Sequence, residues 1–364
     1  MLDERRHGVR CMIMRGGTSK GAYFLRDDLP ADDGERNDLV LRIVGSPDPR
    51  QIDGIGGAHP LTTKVAIVAA SERPDVDVDY LFLQPSVDEP VVSAAQTCGN
   101  LLAGVGQFAV ERELVEVAPS ETEASVRILM VNTNSLATAT FPVERGRPCY
   151  DGSQAISGVP GTAAPVRLDF EDVAGGTCGA LLPSGAVRDE IEGVPCTLID
   201  CGIPVVVMLA RDVGVRGDER CADLEADERL KVTLEKIRLA AAARMGLGDV
   251  SASMVPKLTL VAPPRTGGSL STRSFIPHRC HDAIGVLAGV TVAAAALIEG
   301  TPASEVLDDD GAVGGVVVLE HPTGTFEAVL DLHGVGVDTV VGRAGIIRTA
   351  RKLMDGTVFA RERR

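Results

Sequence analysis

The feature that most constrains this chain is a repeated series of landmarks, present once in each half. In the first half Lys64 starts the strand-like run 64–68, and Cys98 comes directly before a Gly- and Ala-rich apolar helix. In the second half Lys257 and Cys280 occupy the corresponding places. Self-similarity in one order is the signature of a structural unit used more than once. The repeat therefore predicts two similar halves that contribute to one active site.

The strands around these landmarks recur as well. Residues 12–29 can be laid on residues 196–213, where a strand, a glycine-containing turn and a second strand follow one another. Each apolar helix is too hydrophobic to face water, so it needs to be surrounded by sheet. These patterns predict an α+β fold with two pseudo-symmetric domains. Each is a strongly curved β-sheet or barrel around a central apolar helix, and the active site lies in the cleft between them.

Turn-rich segments mark the expected passage between the halves. Residues 175–193 are rich in glycine, and the boundary is predicted near residue 185. The resulting domains are 1–185 and 186–364, with a final strand that either completes the second domain or returns to the first. Helices are predicted at 35–43, 99–112, 224–243, 283–298 and 345–355. Strands are predicted at 9–14, 22–25, 64–69, 76–83, 126–131, 165–170, 197–199, 205–209, 315–319, 325–332 and 339–348.

Composition excludes several classes of partner. The net charge is -15, and the chain of 364 residues has no tryptophan and 3% aromatic residues, so neither nucleic acid nor an anionic membrane surface is an expected partner. The chain lacks an apolar run of about 18 residues and begins with a charged segment, which predicts a cytoplasmic protein. The eight cysteines show no zinc-binding spacing, so we expect most of them to be reduced.

Cys98 and Lys64 are the candidate catalytic residues of the first half. Unpaired N–H groups at a helix N-terminus favour an anion, either a thiolate or a carboxylate of a ligand. Burial disfavours an ammonium, which makes a lysine at the start of an apolar strand a candidate general base. The alternatives are a buried structural cysteine and a lysine that extends to the surface. The glycine-rich loop 54–60 is expected to bring Gly56 and His59 to the same cleft.

The segment 15–21, with sequence RGGTSKG, is a candidate carboxylate-binding turn. It lacks the Gly-Lys-Ser/Thr order of a phosphate loop and leads into a strand instead of a long helix, so nucleotide binding is not expected. Its N–H groups and the hydroxyls of Thr18 and Ser19 suit a carboxylate, and Arg15 supplies charge. A tight β-turn with no ligand is the alternative.

A dense polar cluster precedes the second apolar helix. Arg273, His278, Arg279, Cys280 and His281 stand close together in sequence, and arginine binds carboxylates through two parallel hydrogen bonds. The cluster therefore predicts a site for a ligand with several negative charges. A metal held by the two histidines is the less favoured alternative, because no carboxylate partner is evident.

Six motifs in these regions resemble the PrpF family. They are residues 14–21, 51–57, 64–67, 98–100, 159–163 and 278–279. The resemblance implies a diaminopimelate-epimerase-like fold and a cofactor-independent isomerase, with no metal, in which Lys64 and Cys98 move a proton along an allylic carbonyl system. It implies a tricarboxylate substrate, for which 4-oxalomesaconate of aromatic catabolism is favoured and 2-methylaconitate is the alternative. A homodimer is expected from the family.

The roles implied by this resemblance are specific. Lys64 is favoured as the base and Cys98 as the acid or a helper, with the order of the two left open. A second cysteine opposite the first is typical of the epimerases of this fold, but Cys280 is given a binding or supporting role. A non-catalytic tricarboxylate-binding protein remains a different class of hypothesis. The predicted substrate-binding residues are Arg15, Gly17, Thr18, Ser19, Gly56, His59, Gly99, Asn100, Arg273, His278, Arg279 and Cys280.

Overall fold

The structure, a computed structural model, describes residues 8–95, 97–251, 253–308 and 312–362. The chain divides into two compact units. Unit 1 comprises Met1–Asp169 and Arg348–Arg364, and unit 2 comprises Phe170–Ile347. The passage expected near residue 185 thus falls between Asp169 and Phe170, and the last strand of the chain is shared by the two units. Among the described residues, no helix combines the length and the apolar character needed to cross a membrane.

Unit 1 is a closed ring of strands. Its elements are β1 (Val9–Gly16), β2 (Ser19–Leu25), α1 (Asp33–Val44), β3 (Lys64–Ala70), β4 (Val78–Pro85), β5 (Val92–Ser93), α2 (Gly99–Glu111), β6 (Glu123–Met130), β7 (Ser135–Glu144), β8 (Arg147–Pro148), β9 (Pro165–Phe170) and β18 (Val340–Val358). The order of neighbouring strands in the ring is β18, β1, β2, β3, β4, β6, β7 and β9, and β9 also pairs with β18. The pairs β2–β3 and β4–β6 are parallel.

Helix α2 is the core of unit 1. Residues 101–110 are all buried, and the helix contacts strands β1, β2, β3, β4, β6 and β7. A helix that is apolar on every side is stable only when it is enclosed in this way. Helix α1 packs on the opposite face of the sheet, where Val65 and Ile67 of β3 join its apolar side chains. The strands of unit 1 therefore have an inner face toward α2 and an outer face toward α1.

Unit 2 repeats this topology. Its elements are β10 (Asp189–Ile191), β11 (Val194–Asp200), β12 (Pro204–Leu209), α3 (Cys221–Ala226), α4 (Glu228–Arg244), β13 (Lys257–Ala262), β14 (Leu270–Ile276), β15 (Arg279–Cys280), α5 (Val286–Leu297), β16 (Val316–His321) and β17 (Gly324–His333). The order β11–β12–β13–β14–β16–β17 reproduces β1–β2–β3–β4–β6–β7, including the parallel pairs β12–β13 and β14–β16. Helix α5 contacts β11, β12, β16 and β17, while α3 and α4 cover the other face. The predicted α+β class is confirmed.

One predicted helix is wrong, and a second is interrupted at one residue. Residues 345–355 lie within β18, which pairs with β17 on one stretch and with β1 on another, so sheet pairing overrides the local helical pattern. Residues 224–243 do not form one helix. Asp227 ends α3 and caps α4 by accepting a hydrogen bond from the N–H of Leu230, which divides the segment into two helices.

The expectation that Cys280 opens an apolar helix is also wrong. Cys280 lies in β15, where it pairs with Phe275, and α5 begins later at Val286 with Gly285 as its N-cap. Lys257 at the start of β13 keeps its predicted place, and its Nζ is 3.4 Å from where a Cβ on Gly285 would lie. The residue of unit 2 that corresponds to Cys98 is therefore Gly285, which carries no thiol.

Candidate active site

Cys98 begins α2 as the sequence predicts. It is the N-cap residue with an extended backbone, and its side chain makes no capping hydrogen bond. Its carbonyl accepts from the N–H of Leu102 at 3.0 Å and from the hydroxyl of Tyr80 at 3.2 Å. The first N–H groups of a helix have no partner inside the helix. Gly99 and Asn100 therefore present a partly positive N-terminus beside the thiol.

Lys64 is the first residue of β3 and is 9% exposed. The parallel register of β2 and β3 sets it beside Gly21. Its Nζ donates to Oε1 of Gln84 at 2.8 Å and lies 5.0 Å from the centre of the Phe82 ring. The ammonium is thus held by a neutral amide and an aromatic face.

Strand alternation places Lys64 and Cys98 on the same side of the sheet. Val65 packs against α1 on the outer face, so Lys64 projects to the inner face. Gln84 and Tyr80 share one face of β4, and the Tyr80 hydroxyl reaches the carbonyl of Cys98. Both predicted catalytic residues are therefore on the α2 side of the sheet.

The fit between the β1–β2 hairpin and α2 depends on glycine. A Cβ on Gly16 would lie 2.3 Å from the carbonyl oxygen of Asn100, and one on Gly21 would lie 2.9 Å from Cδ2 of Leu101. Gly17 has φ +49°, and a Cβ there would lie 2.1 Å from Oδ1 of Asn100. The hairpin turn therefore contacts the first turn of α2 directly.

Two hydroxyl groups near this contact have no hydrogen-bond partner among the described residues. Ser19 is 2% exposed, and its Oγ has no hydrogen bond among the described residues. Ser19 lies on the same face of β2 as Tyr23, whose hydroxyl donates to the carbonyl of Leu101 at 2.6 Å. Oγ1 of Thr97, directly before Cys98, is likewise buried without a partner in the described part of the chain. With the helix N–H groups, these hydroxyls form a set of donors suited to a carboxylate or an enolate oxygen.

Arg15 and Thr18 hold the hairpin turn in place. Nη1 of Arg15 donates to the carbonyl of Gly17 at 2.9 Å and to the carbonyl and hydroxyl oxygens of Thr349 at 3.0 and 2.9 Å. Nδ2 of Asn100 donates to Oγ1 of Thr18 at 3.1 Å. Burial, together with the nearby Arg351, lowers the pKa of Arg15. Arg15 thus fixes the shape of the turn.

The loop before β3 is organised around the buried Gln51. Its Oε1 accepts from the N–H of Ala58 and from the hydroxyl of Thr63, both at 2.7 Å. A Cβ on Gly56 would lie 2.1 Å from this oxygen, so only glycine at this position lets the backbone pack against the Gln51 side chain. His59 is exposed, and its Nδ1 accepts from the N–H of Leu61 at 3.1 Å. These contacts define the turn that leads to Lys64. The structure does not test the binding roles predicted for Gly56 and His59, which stay predictions.

In unit 2, Arg273 and Cys280 lie on the face of the sheet that α3 and α4 cover. Arg273 is 8% exposed and donates to the carbonyls of Glu219 and Thr272 at 2.7 and 2.8 Å. Cys280 belongs to an apolar cluster with residues of α4. Burial, reinforced by the adjacent Cys221, raises the pKa of the Cys280 thiol. The structure therefore gives both residues packing contacts within unit 2.

His278 lies in the turn between β14 and β15, Arg279 is the first residue of β15, and both are exposed. Nδ1 of His278 is 3.6 Å from a carboxylate oxygen of Glu235, and Nε of Arg279 is 3.9 Å from one of Glu225. In the described ranges, no three His, Cys, Asp or Glu side chains are grouped to hold a metal ion. A ligand-binding role for His278 and Arg279 stays a prediction.

Sequence reasoning missed Gln84, Thr97 and Tyr80. Gln84 is a polar residue that follows the apolar run 81–83 of β4, and that contrast is a usable signal. Thr97 directly precedes a helix-capping residue, where a hydroxyl is unremarkable. Tyr80 is fully buried, and burial, with the nearby Cys98, raises its pKa well above the usual value. The register of β3 and β4 shows that Gln84 and Tyr80 lie on the same face as Lys64.

Comparison with known proteins gives a consistent result. The family described as "PrpF protein" matches residues 6–361. The (4E)-oxalomesaconate Delta-isomerase of Novosphingobium sp. (strain KA1) is 55% identical over 98% of this chain and 99% of its own length. The 4-oxalomesaconate tautomerase of Pseudomonas putida is 54% identical over 96% of this chain and 95% of its own length.

A solved structure supports the fold. The crystal structure of a methylitaconate-delta-isomerase is similar to this one with a TM-score of 0.86 and 35% sequence identity, over 97% of this chain and 95% of that chain. The family match covers both units, and the two relatives above cover nearly the whole chain. The chain belongs to the PrpF family.

Proposed function

We propose that this protein is an isomerase that shifts a proton and a double bond in 4-oxalomesaconate. The observation that carries the proposal is the placement of Lys64 and Cys98 on one face of the unit 1 sheet, beside the N-terminus of α2. Relatives more than half identical to this chain are named for the same substrate. An allylic proton shift needs a base, an acid and a site for negative charge, and these residues offer all three.

Lys64 acts as the base in the proposed reaction. It removes a proton from the carbon next to the keto-acid group, and the electrons of that C–H bond move into the conjugated system to give a dienolate. In the described part of the chain, Lys64 has no carboxylate within ion-pair distance, and Gln84 is its hydrogen-bond acceptor. Gln84 therefore holds the nitrogen without adding a negative charge beside it.

Cys98 returns a proton in the second step. A new C–H bond forms at the far end of the conjugated system, the double bond moves, and the substrate keeps its number of hydrogens. The N–H groups of Gly99 and Asn100 stabilise the anion, together with the hydroxyl of Ser19. This order, with Lys64 first and Cys98 second, is the direction we favour. The reaction needs no redox change and no group transfer.

Three further features belong to the proposal. Gly17 and Thr18 shape the turn that faces α2, and Arg15 fixes that turn. Gallate or protocatechuate-type catabolism is the proposed pathway because it produces an unsaturated keto-tricarboxylate. A cytoplasmic homodimer is the proposed state of the protein.

The test follows the ultraviolet absorbance of 4-oxalomesaconate in the presence of a chelator. The native protein should change the absorbance rapidly, because proton transfer breaks and re-forms the conjugation. Lys64→Ala and Cys98→Ser should each lower kcat by about 100-fold or more, since loss of a general acid or base typically costs that much. Two matched controls, Lys236→Ala on an exposed part of α4 and Cys178→Ser at a half-buried thiol of unit 2, should retain native activity.

Two results would contradict the proposal. Turnover of 2-methylaconitate without turnover of 4-oxalomesaconate would move the assignment to the alternative substrate. Binding of either tricarboxylate with no change in its carbon-bound hydrogen would indicate a binding protein instead of an enzyme.

A further inference from the structure

The side chain of Gln84 is oriented by three backbone carbonyls. Its Nε2 donates to the carbonyl of Thr63 at 2.8 Å and to those of Pro60 and Pro85 at 3.3 Å each. A carbonyl oxygen can only accept a hydrogen bond, so the amide nitrogen must face this group. The amide oxygen then points the other way, toward Lys64, and accepts from its Nζ at 2.8 Å.

The register of the sheet explains why this pair meets. Val65 is opposite Leu83 in the antiparallel β3–β4 pair, so Lys64 and Gln84 are opposite each other one step further. Directly opposed side chains in an antiparallel pair lie close enough to interact. Gln84 is therefore built into the sheet as the neighbour of Lys64.

Gln84 is a neutral neighbour of Lys64. The titratable side chains on the inner face nearby are Tyr23 of β2, Tyr80 of β4 and Cys98 at the start of α2. Burial raises the pKa of both tyrosines well above the usual value, so they remain protonated near neutral pH. No Asp or Glu of the described residues forms an ion pair with Lys64. A carboxylate at the position of Gln84 would instead hold the lysine in its charged form.

We propose that Gln84 is a positioning residue for Lys64, which fixes the direction of its Nζ without placing a negative charge beside it. The proposal rests on the proposed function, because it concerns the same base. Gln84 touches Lys64 and three backbone carbonyls, and it needs no contact with substrate to act.

The first test compares Gln84→Glu with Gln84→Met. The glutamate has nearly the same shape but adds a negative charge beside Lys64. It should move the pH of half-maximal rate upward by about 1 to 3 units, as an adjacent opposite charge does. The methionine keeps the volume but accepts no strong hydrogen bond, so kcat should fall by about 10- to 100-fold with KM little changed. Asn37→Asp on α1 adds the same charge on the other side of the sheet and should leave the profile unchanged.

The second test measures Lys64 without any substrate. The native protein and Gln84→Glu are labelled with acetic anhydride over a range of pH, and acetylation at Lys64 is measured by mass spectrometry. Only the neutral amine reacts, so the labelling midpoint of Lys64 in Gln84→Glu should be higher by the same 1 to 3 units. Labelling of the exposed Lys236 serves as the internal reference.

The outcomes separate the two proposals. Equal labelling midpoints and equal pH–rate profiles in native protein and Gln84→Glu would overturn the role of Gln84. Should Gln84→Glu fail to fold, Gln84→Met decides, and native kcat in that variant would overturn the role. A native protein inert toward 4-oxalomesaconate would refute the proposed function, whereas a shifted labelling midpoint would still support the Gln84–Lys64 coupling.

Discussion

Replacing Glu320 by glutamine should destabilise unit 2 in a pH-dependent way. Glu320 is on β16 and 6% exposed. Its carboxylate accepts from the N–H groups of Arg265, Thr266 and Gly268 at 2.8, 2.5 and 2.9 Å. The hydroxyls of Thr266 and Ser271 donate to it at 2.8 and 2.7 Å. Burial alone would raise the pKa of this carboxyl, but the donated hydrogen bonds outweigh burial and lower it from 4.5 to about 2.

The size of the effect follows from this difference. One pKa unit corresponds to about 1.4 kcal/mol, so a carboxyl lowered from 4.5 to about 2 contributes about 3 kcal/mol to the free energy of unfolding at pH 7. Because the pKa is lower in the folded state, the contribution is complete above pH 4.5. It is lost as the pH falls from 4.5 toward 2, with about 2 kcal/mol gone by pH 3.

The assay is urea unfolding of the native protein and Glu320→Gln at pH 7 and pH 3. We expect the variant to be less stable by about 3 kcal/mol at pH 7 and by about 1 kcal/mol at pH 3. Asp308→Asn, at an exposed carboxylate in the same unit, is the control for loss of one charge. An equal difference between native and variant at both pH values would refute the argument, because it would show that the ionised carboxylate is not the stabilising form.

Three further predictions concern unit 1. Gly17→Ala should lower the free energy of unfolding by about 1 to 2 kcal/mol and raise KM, because a non-glycine residue at φ +49° is strained and its Cβ would lie 2.1 Å from Oδ1 of Asn100. Unchanged urea unfolding and an unchanged KM would contradict this prediction. Ser19→Ala should lower kcat/KM by about 10- to 100-fold without loss of stability, because the Ser19 hydroxyl has no partner among the described residues and can donate a hydrogen bond to the substrate. Native kinetics in this variant would contradict the prediction. Asp355→Asn should lower the free energy of unfolding by about 1 to 3 kcal/mol, because it weakens the two hydrogen bonds that the buried Arg112 donates at 2.9 and 2.7 Å. Unchanged stability in urea unfolding would contradict this prediction.

Much of the fold was predictable because local pattern and tertiary structure agree. The apolar run that starts at Lys64 is β3, and the helix after Cys98 is α2. The repeat of strand, turn and strand predicted the duplication, since each unit must enclose one apolar helix. The local pattern of residues 345–355 predicts a helix. The structure places them in β18 instead, because pairing with strands far away in sequence decides their conformation.

The candidate site was only partly predictable for a similar reason. Cys98 and Lys64 stand out in the sequence, but their common face follows from the register of β3 and β4. The sequence pattern predicts that Cys280 is equivalent to Cys98, because glycine and alanine follow both, and the structure contradicts this. The chain turns before α5, and Gly285 takes the capping position instead. Gln84 became visible only as the acceptor for Lys64, because a cross-strand partner cannot be assigned without the register.

The central claim is that Lys64 and Cys98 move a proton between two carbons of an unsaturated keto-tricarboxylate. Its most direct test is proton NMR of 4-oxalomesaconate in heavy water with the native protein, Lys64→Ala and Cys98→Ser. The account predicts that the native protein moves the double bond and introduces deuterium at the carbon that receives the proton, and that both variants lose this activity. Native rates of double-bond migration in Lys64→Ala, or no migration with the native protein, would contradict it.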